Sequence, residues 1–440
     1  MPIRGIVLLI FFLASLPVCF VRPFYGILLW TIVAFLNPQS FIWRTAYTGF
    51  VSTFPWAMAV AIPTLIGLPL FCRGWMRRLA VREVLLLVAL WVWFTITSVV
   101  SANTPLFQHH ADDTWYRWDF VSKVFLMTLV TIAVVDNFEK LRVLVMVMAG
   151  CFGFFVLKAL PFMILTGGTF RLYGPERSMV ADNNDLGLAF NMTLPLFFFL
   201  AQNESRRWLK WFYAFLGMIT VPAIFFTYSR GALVGLVVVF GLMFLQWKRR
   251  FILIPVVTVA ALIAMLFAPE AWKERMDPMR PDAVDGSARS RLNSWTFSLR
   301  LANDYPIAGG GFETFTQPLF DRYAPNPIDV HGPHSIYFGV LAEHGYIGLL
   351  LYLSLILSCF AGTSRVIKLA RLHRDQLVLN YGNMFRFSLV AFLVSGAFLG
   401  RAYFDYFLAI VACMTILRRL SFSRWAAATP AVLVPKEHAA

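Results

Sequence analysis

Three short polar motifs interrupt a strongly apolar chain, and each carries side chains that could bind an anion or move a proton. The first is Ser229-Arg230-Gly231, at the junction of two apolar runs. A guanidinium at the start of a helix can hold phosphate oxygens at two points, and the first backbone N–H groups of the helix add to such a site. An arginine that only extends towards lipid headgroups is the alternative interpretation.

The second motif is Arg289-Ser290-Arg291, followed by Trp295. Apolar residues recur at roughly helical spacing along this segment, which predicts an amphipathic helix. A solvated basic turn explains the two arginines equally simply. This motif therefore indicates little when it is taken alone.

The third motif is His331-Gly332-Pro333-His334-Ser335, which leads into another apolar run that Ser335 could cap. Histidine titrates near neutral pH, so a neutral imidazole at His334 could take a proton from a hydroxyl group. An interfacial histidine without a chemical role is the simpler alternative. A metal site is the weaker interpretation, because no carboxylate-rich pattern accompanies the two histidines.

Further polar residues could line a cavity or could be ordinary loop polarity. Glu343 follows the third motif inside an apolar run, so we expect it to be buried with a partner and to have a structural role. The others are Lys158, Arg171, Arg177 and the run Asp182-Asn183-Asn184-Asp185.

The elements that must position these residues are membrane helices. The chain has 440 residues, of which 59% are hydrophobic and 14% charged, with a mean hydropathy of +0.69. These values exclude a soluble enzyme, and since a spanning helix takes about 20 apolar residues, they predict an all-α polytopic protein with about twelve transmembrane helices. Five cysteines without a CxxC pair indicate neither a disulfide framework nor a zinc site.

The net charge of +15 is explained by orientation, and we expect no nucleic-acid partner. One set of connections is basic and is predicted to face the cytoplasm; its residues include Arg73, Arg77, Arg78, Arg82, Lys140, Arg142, Arg206, Arg207, Lys210, Lys248, Arg249, Arg250, Arg365, Lys368, Arg371, Arg374, Arg386, Arg418, Arg419 and Arg424. The other set, at 102–118, 166–184 and 269–334, is mixed in charge and is predicted to lie on the outer face.

The predicted organisation has four parts. They are transmembrane helices one to about ten at 1–268, a large periplasmic loop containing helices at 269–334, C-terminal transmembrane helices at 335–425 and a flexible cytoplasmic tail at 426–440.

Two finer expectations concern the loop and the last apolar run. The loop helix should be capped by Asp285 or Ser287 and should stop at Asp304, before a turn at Gly309-Gly310-Gly311. The apolar run 387–417 should be broken at Gly400-Arg401.

In their order and spacing, the motifs resemble the bacterial O-antigen ligases and the related O-antigen polymerases and O-linked glycosylation ligases. The resemblance covers about 171–350 and rests on four elements, which are Ser229-Arg230-Gly231, Arg291-x-x-x-Trp295, Pro306-x-x-Gly309-x-Gly311-x-x-x-Phe315, and Pro333-His334-Ser335 leading into Glu343-x-Gly345-x-x-Gly348. The segment from Asp182 to Pro195 also resembles the exosortase-associated O-glycosylation ligases. Many relatives carry Asn where this chain has Ser335.

This resemblance implies a GT-C-like helical bundle in the bacterial inner membrane, with its active site on the periplasmic side. It also implies an inverting glycosyltransferase that needs neither a metal nor another cofactor. The donor would be a glycan on undecaprenyl diphosphate, and the acceptor would be the lipid A core oligosaccharide of lipopolysaccharide. Membrane lipids would surround the protein.

Residue by residue, the resemblance assigns the donor diphosphate to Arg230 and Arg291, and activation of the acceptor hydroxyl to His334. Together these three residues are the predicted catalytic set. Additional predicted substrate-binding residues are Arg289, Arg171, Arg177 and Tyr337.

Three alternatives remain open. An O-antigen polymerase or a protein O-oligosaccharyltransferase would share the same motifs. A lipid-linked sugar flippase or transporter would also be a basic helical bundle, but transporters commonly contain internal repeats, whereas here the unusual residues are concentrated around one outer loop.

Overall fold

The structure is a computed structural model, and it describes residues 3–38, 54–176, 178–245, 269–270, 272–273 and 281–428. Every regular element in these ranges is a helix, and no strand occurs among them. The predicted all-α class is therefore confirmed for the described part of the chain.

The described residues up to 245 contain ten α-helices. They are α1 (Ile3–Val21), α2 (Pro23–Leu36), α3 (Trp56–Phe71), α4 (Trp75–Leu79), α5 (Arg82–Ala102), α6 (Ala111–Val134), α7 (Phe138–Leu165), α8 (Asn183–Asn203), α9 (Arg207–Phe225) and α10 (Arg230–Leu245), with a short 3-10 turn at Gln108–His110 before α6. The C-terminal half adds α11 (Pro281–Asp304), α12 (Gln317–Tyr323), α13 (Ile336–Leu372), α14 (Gln376–Gly396) and α15 (Asp405–Ala428).

Seven of these helices are long and apolar enough to cross a membrane, namely α5, α7, α8, α9, α13, α14 and α15. Four others, α1, α2, α3 and α10, contain shorter apolar helices of 10–17 residues. Residues 246–268, the last part of the predicted transmembrane region 1–268, lie outside the described residues, and the total of about twelve helices stays a prediction. α15 continues to Ala428, so its end passes the predicted start of the tail at 426, and residues 429–440 also lie outside the described part.

The centre of the bundle is α8, whose apolar window is 89% buried. It packs against α9, α10 and α14. Close approach depends on small residues: a Cβ added at Gly235 would lie 2.0 Å from the hydroxyl of Ser395 and 2.9 Å from the amide nitrogen of Asn191. Small residues let helix backbones approach closely in membrane proteins, so α10 is held near α8 and α14.

The basic connections in the described part of the chain meet at one end of the bundle, as the charge pattern predicts. Ion pairs join them there: Arg78 with Asp136 at 3.4 Å, Arg142 with Glu204 at 2.6 Å, Arg418 with Glu83 at 2.5 Å, and Arg424 with Asp375 at 3.1 Å. α5 runs from this end to the opposite one, where Ser101 near its C-terminus donates to the carbonyl of Gly310. We call the described part of the loop 269–334 the polar loop. It and the basic connections therefore lie at opposite ends of α5.

The polar loop contains two helices, α11 and α12, in agreement with the prediction. The expected caps are wrong, because α11 begins at Pro281 and both Asp285 and Ser287 lie inside it. The predicted stop at Asp304 is confirmed. A cap residue cannot be identified from its type alone when a proline further upstream also fits the first helical turn.

The turn after α11 is bonded to a break in α13. Helical geometry is lost at Gly345, where φ is 65° and ψ −170°. The backbone N–H groups of Gly310 and Gly311 donate to the carbonyls of Ala342 and Glu343 at 2.8 and 2.9 Å. A Cβ at Gly345 would lie 2.4 Å from the carbonyl oxygen of Ile307, so this approach requires glycine.

Candidate functional site

Arg230 is the first residue of α10, as its motif predicts. The hydroxyl of Ser229 accepts a hydrogen bond from the N–H of Ala232 at 3.2 Å and so caps the helix. The turn before it is fixed by Asn183, whose amide donates to the carbonyl of Thr227 at 2.7 Å. Arg230 therefore lies at a well-supported helix N-terminus, at the end of the bundle opposite the ion-paired basic connections.

Arg291 lies on α11, the amphipathic helix of the polar loop. Its side chain is half-buried, and its Nε is buried without a hydrogen-bond partner among the described residues. The guanidinium carbon is 6.0 Å from the centroid of the Phe398 ring. Burial lowers the pKa of Arg291, and the positive charge of Arg230 lowers it further.

Phe398 connects the two arginines in space, because its ring faces Arg291 and its Cβ would lie 3.2 Å from a Cβ at Gly231, the residue after Arg230. Two guanidiniums in one neighbourhood are suited to a ligand with more than one negative charge.

α11 also holds the loop that leads to His334. Asn293 donates through its amide to the carbonyls of Asn326 at 2.8 Å and Asp329 at 3.1 Å. The hydroxyl of Ser294 donates to the carbonyl of His331 at 3.1 Å. Because these side chains follow Arg291 directly, one helix positions both the arginine and the histidine-containing loop.

His334 immediately precedes the cap residue of α13 and has a left-handed backbone with φ of 43°. Few non-glycine residues adopt this conformation without support from their surroundings. Support comes from Trp295, whose indole N–H donates to the carbonyl of Pro333 at 2.9 Å. Ser335 occupies the N-cap position as expected, but its side chain makes no capping hydrogen bond.

The imidazole of His334 is accessible to solvent, yet the protein around it is dense enough for desolvation to lower its pKa. The charges of Arg291 and His331 lower the pKa further, while Asp182 opposes them. His331 is ion-paired with Asp329 at 2.8 Å, and its ring centroid is 6.4 Å from that of His334. At neutral pH, His334 is therefore predominantly the neutral base.

A linker of eight residues, 397–404, runs between α14 and α15 and borders all three predicted catalytic residues. A Cβ added at Gly231 would lie 3.2 Å from the Cβ of Phe398, the ring that also faces Arg291. A Cβ at Gly400 would lie 3.6 Å from the backbone nitrogen of His334. The expected break of the last apolar run at Gly400-Arg401 is thus confirmed, and it forms one wall of the candidate site.

The other predicted substrate-binding residues differ in position. Arg171 is exposed and its guanidinium carbon lies 6.0 Å from the ring centroid of Tyr228, near the start of α10. Arg289 is exposed on α11. The hydroxyl of Tyr337 donates to the carbonyl of Leu393 at 3.2 Å, a contact between α13 and α14. Arg177 lies outside the described residues.

Glu343 is buried, as expected, and has two partners. It accepts from the backbone N–H of Glu313 at 3.1 Å and from the hydroxyl of Tyr403 at 2.5 Å. These bonds join α13, the polar loop and the 397–404 linker behind the candidate site. The structural role predicted for this carboxylate agrees with these contacts.

The sequence did not single out Phe398, it marked Arg401 only as part of the break in the last apolar run, and it gave Asp182 and Asp185 no definite role. Phe398 looks like an ordinary lipid-facing residue in an apolar run, so no signal indicated it. Arg401, in contrast, is an arginine inside an apolar run, and such residues deserve a functional hypothesis by default. No group of three or more His, Cys, Asp or Glu residues able to hold a metal ion occurs within the described ranges.

Comparisons with known proteins agree with this geometry. The O-Antigen ligase family model matches residues 214–353, a range that contains Arg230, Arg291 and His334. A family of unknown function, DUF5935, matches residues 3–205. No curated protein matches the chain. The match over 214–353 supports membership of this chain in the O-antigen ligase superfamily, a family of glycosyltransferase-like membrane enzymes.

Proposed function

We propose that the protein is an O-antigen ligase in the bacterial inner membrane. It transfers a glycan from undecaprenyl diphosphate to the lipid A core oligosaccharide of lipopolysaccharide, on the periplasmic face, with inversion at the anomeric carbon and without a metal. The observation that carries this proposal is that Arg230, Arg291 and His334 come together around the 397–404 linker, within the range that the O-Antigen ligase family model matches.

The reaction that fits these side chains is a direct displacement. The acceptor oxygen attacks the anomeric carbon while its proton passes to the imidazole of His334. The bond between that carbon and the diphosphate oxygen breaks, and undecaprenyl diphosphate leaves. Attack opposite the leaving group inverts the anomeric configuration.

The two arginines act on the leaving group. Negative charge on the diphosphate increases as the bond breaks, so guanidiniums that bind it most strongly at that moment lower the barrier. Each planar guanidinium can contact two phosphate oxygens. Together they supply the counter-charge that a divalent cation provides in other glycosyltransferases.

The basic end of the bundle supports this orientation. Ion-paired and exposed arginines at that end favour the cytoplasm under the positive-inside rule, and the candidate site is at the other end. Ile328 is 91% exposed in the polar loop, and Leu372 is 71% exposed at the end of α13. We expect Ile328→Cys to react with an impermeant maleimide in intact cells and Leu372→Cys only after permeabilisation; the reverse pattern would contradict the orientation.

The test of the function uses purified protein in detergent, an undecaprenyl diphosphate-linked glycan and lipopolysaccharide that lacks O-antigen. We expect a glycan-lipopolysaccharide product and free undecaprenyl diphosphate, both unchanged in excess EDTA. Loss of transfer that returns with magnesium or manganese would contradict the metal-independent mechanism.

The same assay separates the alternatives. A longer undecaprenyl-linked glycan without a lipopolysaccharide product would indicate an O-antigen polymerase. Glycan on a protein Ser or Thr would indicate a protein O-oligosaccharyltransferase. Movement of the donor between leaflets of a vesicle, without transfer, would indicate a flippase and would refute the enzyme proposal.

A further inference from the structure

Arg401, in the 397–404 linker, forms an ion pair that the sequence did not predict. Its Nη2 lies 2.5 Å from Oδ2 of Asp185, in the first turn of α8. The Asp185 side chain is only 7% exposed and that of Arg401 27%. A carboxylate this buried needs its partner, because removal of the arginine would leave an uncompensated charge inside the protein.

The charges around Arg401 argue against a direct role in binding an anion. The carboxylates of Asp182 and Asp405 act on its guanidinium in addition to Asp185. Arg291, in contrast, experiences the like charge of Arg230. Arg401 is therefore neutralised by carboxylates of the protein itself.

Arg401 belongs to the linker that forms one wall of the candidate site. Phe398, three residues earlier in the linker, faces both Gly231 and the guanidinium of Arg291. Gly400, the adjacent residue, packs against the backbone of His334. A shift of the linker would therefore move the surroundings of all three predicted catalytic residues at once.

Asp185, the partner of Arg401, lies in the helix terminus that supports Arg230. Asp185 lies two residues after Asn183, whose amide holds the carbonyl of Thr227 in the turn before Arg230. Asp182 is the N-cap residue of the same helix, and its negative charge raises the pKa of His334. The ion pair thus joins the α8 terminus that supports Arg230 to the linker that supports His334.

We propose that the Asp185–Arg401 ion pair is a positioning element of the transfer reaction, which fixes the 397–404 linker so that His334 keeps its placement relative to the donor held by Arg230 and Arg291. This inference rests on the proposed function. It assigns to Arg401 an effect on the rate of the chemical step and none on donor affinity.

The experiment compares Arg401→Gln, Arg401→Lys and Asp185→Asn in the purified transfer assay, with kcat and donor KM measured on monodisperse protein. We expect Arg401→Gln and Asp185→Asn to lower kcat by roughly the 10²-fold that a misplacement of about 1 Å can cause, with KM changed less than about threefold. Arg401→Lys should keep kcat within about threefold of wild type, because a single contact to Oδ2 suits an ammonium as well as a guanidinium.

A matched control is available at the basic end. Arg142 pairs with Glu204 at 2.6 Å, and the Glu204 side chain is 3% exposed, so the two ion pairs have similarly buried carboxylates. Arg142→Gln should lower stability while the kcat of the folded protein stays unchanged. An equal loss of kcat in Arg142→Gln and Arg401→Gln would show a general loss of structure and overturn the proposal.

The remaining outcomes are also decisive. Unchanged kcat in Arg401→Gln, or a large rise in donor KM, would overturn the positioning role. If Arg401→Gln does not yield folded protein, Arg401→Lys still decides, since a kcat below about a tenth of wild type would contradict the proposal. A wild-type protein that transfers nothing would refute the proposed function instead.

Discussion

The indole N–H of Trp295 donates a 2.9 Å hydrogen bond to the carbonyl of Pro333, the residue directly before His334. The same indole stacks on Phe338, four residues after His334, with ring centroids 4.9 Å apart and an interplanar angle of 15°. One side chain of α11 therefore holds the backbone on both sides of the predicted general base.

Trp295→Phe tests this support. The phenyl ring can still stack on Phe338, but the hydrogen bond to Pro333 is lost, at a cost of about 1 kcal/mol of stability. We expect kcat to fall several-fold with little change in donor KM. Trp208, which is 67% exposed near the basic end, provides the control, and an equal fall of kcat in Trp208→Phe would contradict the specific role of Trp295.

His334→Ala should fold and still bind the lipid-linked donor, since donor binding is assigned to Arg230 and Arg291. Transfer should fall by roughly the 10²- to 10⁴-fold typical of a lost general base. His331→Ala should be much milder, because the imidazole of His331 contacts Asp329 in the loop and His331 lies further from the start of α13 than His334 does. Normal transfer by His334→Ala together with a large loss in His331→Ala would assign the base to the other histidine.

The pH dependence of kcat/KM should have an acid limb that belongs to His334. The neutral imidazole is the active form, so the rate falls as the pH drops through the pKa of His334. Since that pKa is lower than the ordinary histidine value of 6.5, the limb should lie below pH 6.5.

Asp182→Asn shifts the limb in a predictable direction. The carboxylate of Asp182 raises the pKa of His334, so its removal should move the limb to lower pH, while the amide can still cap α8. His331→Ala removes a group that lowers this pKa and should move the limb to higher pH. Identical profiles for wild type and both variants would show that another group sets the limb.

Arg230→Lys and Arg291→Lys should each fail to restore transfer. An ammonium keeps the positive charge but loses the planar contact to two phosphate oxygens. Donor binding can be followed with radiolabelled lipid-linked glycan, and kcat can be measured in parallel. Full activity of either Lys variant would reduce that arginine to a surface charge.

Gly345→Ala should destabilise the attachment of the polar loop to α13. The residue has φ of 65°, and an added Cβ would lie 2.4 Å from the Ile307 carbonyl oxygen. A strained left-handed residue alone costs about 1–3 kcal/mol, so we expect a clearly lower melting temperature in detergent. A Cβ at Gly332 would meet nothing within 4 Å, and Gly332→Ala should leave that temperature unchanged.

The sequence was most informative about helices and their ends. The apolar runs at 84–101, 143–165 and 185–201 predict α5, α7 and α8 within a few residues. The reason is that a membrane helix needs about 20 apolar residues whatever its neighbours are. Ser229-Arg230-Gly231 predicted the start of α10 correctly for the same local reason. Charge alternation also placed the basic connections together at one end of the bundle.

Tertiary relationships were beyond the reach of sequence patterns. Arg401 and Asp185 are 216 residues apart, so no spacing rule could pair them. The break at Gly345 depends on the Pro306–Gly311 turn bonding to α13, and a lone glycine in an apolar run is compatible with an uninterrupted helix. The cap of α11 was mispredicted because several polar residues near its start could have served.

The bonds between the polar loop and α5 and α6 have a consequence for biosynthesis. Ser101 and His110 bond to the carbonyl of Gly310, and Thr114 donates to the carbonyl of Phe312, across separations of about 200 residues. The chain is made from its N-terminus, so these groups are synthesised long before their partners. The C-terminal end of α5 and the start of α6 therefore cannot form these bonds until translation passes residue 312, which makes completion of this end a late step of assembly.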